Sequence, residues 1–76
     1  MMPMNSTEIE HLDVVASTEE IPSAGIARGA VGTVVHVYAP GVFEVEFVDN
    51  DGHTYALVTL KAEQLLRLEF SPVAAA

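Results

Sequence analysis

Three histidines, His11, His36 and His53, are the first residues to test for chemistry, because imidazole is a frequent metal ligand and general base. No two of them stand at the close spacing that seats two ligands on one element, and there is no cysteine to complete a zinc site or to act as a thiolate. Asp49-Asn50-Asp51-Gly52-His53 has the composition of a calcium loop. Aligning Gly52 with the sixth loop position, however, puts Val58 where a bidentate Glu belongs and Phe47 where the first Asp belongs. That segment is expected to be a turn. Glu44 and Glu46 form a carboxylate pair, but on a strand both point to one side, into water, without the cleft that would split their pKa values. Gly25, Gly29 and Gly32 do not lead into a helix N-terminus and so lack the dipole of a phosphate-binding loop. His36 beside Glu44 could form an exposed pair contributing about 0.2 to 1 kcal/mol. These residues predict no catalytic site, no metal and no cofactor.

The elements that position them are short strands. Asp13 to Ala16 is a β-branched first strand, and Ser17 to Gly25, punctuated by Pro22 and Gly25, is a long loop too interrupted for a helix. Gly29 to Tyr38 and Val42 to Val48 flank Ala39-Pro40-Gly41 as a β-hairpin. The turn at Asp49 to Gly52 leads to a fourth strand from Thr54 to Leu60. Lys61 to Gln64 fits a single 3₁₀ turn, and Leu65 to Phe70 alternates as a fifth strand. The predicted fold is all-β: an SH3-like five-stranded small barrel over residues 12–70, with a long first loop and a 3₁₀ turn before the last strand. Residues 1–11 and 71–76 read as flexible tails.

The two-residue period of a strand assigns faces. Phe43, Val45 and Phe47 alternate with Glu44 and Glu46, so the first set is expected inside. If the hairpin loop pairs Tyr38 with Val42, then Val37 faces Phe43, His36 faces Glu44, Val35 faces Val45 and Thr33 faces Phe47. Extending the register puts Ala56 and Val58 inside and Tyr55 and Leu57 outside. The outward set Val34, Tyr38, Val42, Tyr55 and Leu57, ringed by Glu44 and Glu46, is then an apolar patch of the kind that marks an interface. A bulge at Gly32 is the alternative, with Leu57 in the core and an ordinary surface.

Composition narrows the class of partner. The chain has 76 residues, half of them hydrophobic, and a mean hydropathy of +0.33, which suits one small folded domain. It has no apolar run long enough for a membrane span and no export signal at its start, so a soluble, cytoplasmic protein is expected. Eleven acidic residues against Arg28, Lys61 and Arg67 give a net charge of -8. Binding to nucleic acid draws its energy from cations that displace counterions, so nucleic acid and anionic membranes are disfavoured as partners. The charge either steers the protein toward a basic partner surface or serves only to keep a small, apolar-rich chain in solution.

The segments Asp13 to Val15, Ile26 to Tyr38, Phe43 to Phe47, Thr54 to Leu60 and Gln64-Leu65 resemble the short bacterial proteins grouped as domain-of-unknown-function family 4926. The string from Gly29 to Val37 also resembles the KOW motif of ribosomal and transcription-elongation barrels. Basic loops carry RNA binding in those barrels, whereas here the first long loop has Arg28 alone. The first resemblance implies a small barrel with no catalytic residues, suited to an accessory role beside a larger protein, such as an antitoxin-like neutraliser. The functional expectation is a non-enzymatic interaction module that docks on a basic protein. A KOW-like accessory to nucleic acid or the ribosome, or a self-associating barrel, are the alternatives.

Overall fold

A computed structural model describes residues 8–69. Five antiparallel strands form one sheet in the order β4-β3-β2-β1-β5. They are β1 (Val14–Ser17), β2 (Val31–Ala39), β3 (Val42–Val48), β4 (Thr54–Lys61) and β5 (Leu65–Leu68). Two 3₁₀ turns, Pro22–Ala24 and Ala62–Gln64, interrupt the first long loop and precede β5. Among the described residues no helix is long and apolar enough to cross a membrane. The expected five strands and the 3₁₀ turn before the last one are present. The C-terminal residues from Phe70, including the tail expected over 71–76, lie outside the described residues, as do residues 1–7.

Consecutive strands β4 and β5 occupy opposite edges of this sheet, and no ladder joins them to close it as a barrel. The chain nevertheless curls the sheet. From Lys61 to Leu65 the backbone can span at most about 14 Å, while the edges of a flat five-stranded sheet lie about 19 Å apart. The second 3₁₀ turn is strapped on both sides of this crossing. Ala62 N–H donates to the Gly41 carbonyl at 2.9 Å, Thr18 N–H donates to the Gln64 carbonyl at 2.9 Å, and Gln64 Nε2 donates to Glu19 at 2.9 Å.

The concave side carries the core: Val15, Ile26, Val34, Phe43, Val45, Phe47, Leu60 and Leu65, joined by Ile9. Ile26 enters it because the long first loop folds back on itself, with Ile21 and Ile26 bridged across Gly25, whose φ is +70°. Ile9 falls within the segment expected to be a tail and is packed into the core instead. The Glu10 N–H donates to Asp13 Oδ2 at 2.7 Å, and Arg67 Nε reaches the same oxygen at 3.0 Å, which fastens this segment to β5.

The hairpin register differs from expectation in an informative way. Val37↔Phe43 and His36↔Glu44 pair as anticipated, but Ala39 pairs with Val42 across a two-residue Pro40-Gly41 turn, with Gly41 at φ +80°. Pro at the first and Gly at the second central position is a type II pattern, which splays hairpin strands unless the pairing adjusts. Bulges fall between Val37 and Ala39 and between Val34 and His36. Beyond the second bulge every partner moves by one, giving Val34↔Val45, Thr33↔Glu46 and Gly32↔Phe47 rather than the predicted Val35↔Val45 and Thr33↔Phe47.

Gly32 therefore carries no bulge. Its lack of a side chain serves close packing: a Cβ there would lie 2.7 Å from the Glu46 carbonyl oxygen, 2.8 Å from Val45 Cγ1 and 3.0 Å from Phe47 Cδ1.

Candidate functional site

Three strands place the side chains of the convex face. On β3, the core residues Phe43, Val45 and Phe47 alternate with Val42, Glu44 and Glu46, which stand on the outer side. The β4 register continues this assignment: Leu57 lies across from Glu46 and Thr59 across from Glu44, while Ala56, Val58 and Leu60 face the core. On β2, His36 lies across from Glu44 and Thr33 across from Glu46.

Tyr38 and Leu57 stand on this face 53% and 54% exposed, on either side of the two half-buried carboxylates. The Tyr38 hydroxyl donates to Glu44 and the Thr54 hydroxyl donates to Glu46. His36 packs its ring edge against Tyr38, with centroids 4.6 Å apart and planes at 69°. The Glu44 carboxylate, by accepting the phenol's hydrogen bond, holds Tyr38 above its usual 10.0; partial desolvation and the charge of Glu44 push the same way, and a hydrogen bond with Thr59 pushes back. Both carboxylates are thus oriented by hydroxyl donors.

Two members of the expected patch are placed elsewhere. Val34 is fully buried in the core rather than outward, because the bulge at Val35 turns the earlier part of β2 over. Tyr55 is 46% exposed, but it sits in the bulge opposite Phe47/Val48, and its ring leans toward the core residue Phe47, with centroids 6.4 Å apart. Thr54 takes its place beside Glu46. Tyr38, Val42, Glu44, Glu46 and Leu57 remain together on the outer side.

The convex face also holds residues that the sequence reading left unassigned. Cross-strand pairs set Leu66, Ala16 and Val31 in one row, and Leu68, Val14, Thr33, Glu46 and Leu57 in the next, the second crossing all five strands. Val31 is 49% and Leu66 58% exposed. The period-2 pattern of Leu66 and Leu68 was the available signal for β5; for Val31 the signal was hidden by the bulge.

Among the described residues, one group could offer three ligand atoms to a cation: Asp49, Asp51 and His53, all exposed. Asp49 Oδ1 is already occupied as a turn acceptor, bonded by the N–H groups of Asp51 and His53 at 2.9 Å each. This is the expected turn, and Gly52 supplies its positive φ of +84°. His11 and His36 are not part of the group. The only buried polar side chain among the described residues is Ser17, whose hydroxyl donates to the Glu19 carbonyl.

Comparison with known proteins returns no matching curated protein and no matching solved structure. A family model does match, over residues 11–67, the span that contains all five strands but the last residue of β5, together with Tyr38, Val42, Glu44, Glu46 and Leu57. By that match the chain belongs to the family described as domain of unknown function DUF4926.

Proposed function

We propose that this protein is a non-enzymatic interaction module that docks its acidic, aromatic outer face on a basic surface of a larger protein, to which it is an accessory. The observation that carries the reading is the juxtaposition on one sheet face of two exposed anchors, Tyr38 and Leu57, with Glu44 and Glu46 held between them by hydroxyl donors. Tyrosine and large apolar side chains supply contact area at an interface, and carboxylates select a cationic partner and steer its approach. The net charge of -8 gives that steering its sign over the whole molecule. We read the curled sheet as an SH3-like small barrel, which the strand order, the long first loop and the 3₁₀ turn before β5 support. In such a scaffold the concave side is filled by its own side chains, leaving the convex face for binding.

The test is co-purification of the tagged full chain from its native cells, comparing the wild type with Leu57→Ser and with Glu44→Lys/Glu46→Lys. A near-stoichiometric basic protein is expected with the wild type and at least about tenfold less of it with either variant, the variants keeping the wild-type circular dichroism. Equal capture by the folded variants overturns the assignment of this face. A stable oligomer of the pure protein in light scattering, with no partner captured, favours self-association instead.

A further inference from the structure

The alternation of hydrogen bonds along β4 can be read from its end. In an antiparallel ladder, residues alternate between pairs that exchange both backbone bonds and pairs that exchange none. The Ala62 N–H donates to the Gly41 carbonyl, and the register continues from there without a break through Val42↔Lys61, Phe43↔Leu60, Glu44↔Thr59, Val45↔Val58, Glu46↔Leu57 and Phe47↔Ala56. Leu60, Val58 and Ala56 therefore turn their backbone groups toward β3. Lys61, Thr59 and Leu57 turn theirs away from it. The Lys61 N–H is taken by Gln64 Oε1 at 2.9 Å, which agrees with this assignment and caps that end of the edge. Among the described residues, no strand pairs with the outer side of β4, and the N–H and C=O groups of Leu57 and Thr59 form an open ladder on this edge strand.

Natural edge strands are commonly blunted by charge, proline or a bulge. From Thr54 to Leu60 this strand has neither a charged residue nor proline, and its one bulge lies at the Tyr55 end. The neighbouring strand has Glu44 and Glu46 on the outer side. We propose that the β4 edge accepts an extended basic segment of the partner by β-strand addition. Its side chains alternate between Lys or Arg on the outer side and apolar residues on the side of Val58. An added strand lies about 10 Å from β3, a gap that long cationic side chains cover by running their stems along Leu57 and Thr59 to Glu46 and Glu44. A second copy of this chain fits less well, because it brings another net charge of -8 and a β4 whose only cation is Lys61.

This inference rests on the docking reading above and is tested separately from it. The isotopically labelled full chain is titrated with a capped peptide of alternating Lys and Val, and with its Glu and Val counterpart. Slowing of amide exchange by about tenfold or more at Leu57 and Thr59 is expected with the Lys peptide alone, weakening as salt is added. Thr59→Pro deletes an N–H that faces away from β3, so it is expected to fold and to bind the Lys peptide at least about tenfold more weakly. Binding with those two amides unprotected, equal binding of the Glu peptide, or no binding overturns the edge inference. So does protection that grows with protein concentration without peptide. Should the proline variant fail to fold, the wild-type amide pattern decides by itself. The docking reading stands or falls on capture by the Glu44→Lys/Glu46→Lys variant, which removes the acidic face without touching the β4 backbone.

Discussion

Gly32 shows how much one missing methyl group can position. With backbone and side-chain atoms at 2.7 to 3.0 Å from where its Cβ would stand, Gly32→Ala must push β2 off β3 or displace the Phe47 ring. The expected cost is about 1 to 3 kcal/mol, read as a lower denaturant midpoint with an unchanged slope. Tyr38 is the residue whose ionisation reports the outer face. Its folded pKa is raised above 10.0 by the bond to Glu44, so the neutral phenol is the stabilised form. The contribution is present below the unfolded pKa and is lost as pH rises through the folded one. In a Tyr55→Phe background the phenolate absorbance is expected to titrate above 10.0, and adding Glu44→Gln is expected to bring it down toward that value. An unchanged titration would place the Tyr38 hydroxyl away from Glu44.

At the scale of the element, β4 separates two backbone roles in adjacent residues. The Val58 N–H faces β3 within the regular part of the ladder, whereas the Thr59 N–H faces outward. Val58→Pro is expected to remove a ladder bond at a half-buried position and cost about 3 kcal/mol or more, while Thr59→Pro is expected to cost much less. Thermal melts of the two variants check the alternation; equal destabilisation would contradict it. The hairpin shows why register was hard to read before the fold was known. Pro40-Gly41 signalled a turn, but a two-residue and a three-residue loop both fit that signal, and the bulges at Val35 and Tyr38 have no residue type that announces them. His36 and Glu44 were paired correctly because they lie between the two bulges. Val34, beyond the second, was placed on the wrong face.

For the whole molecule, charge and core oppose each other. A domain of this size has a small core, and a formal charge of -8 repels itself across a curled sheet only five strands wide. The melting temperature is therefore expected to rise as sodium chloride shortens the screening length from about 30 Å at 0.01 M to about 10 Å at 0.1 M. A flat response would mean that the carboxylates are too far apart to matter. The sequence by itself determined the all-β class, the five strands and the alternation of Phe43, Val45 and Phe47 with Glu44 and Glu46, while it left Leu57 open between the surface and the core. Each of these follows from residue type and the two-residue strand period, which are local properties. The tertiary structure decided where the bulges fall, which turned Val34 into the core and set Tyr55 toward Phe47; it also packed Ile9 into the core and, among the described residues, left β4 at the edge of the sheet. Those outcomes rest on contacts between residues far apart in the chain, such as Gly32 against Phe47 and Thr18 against Gln64, which no local pattern encodes.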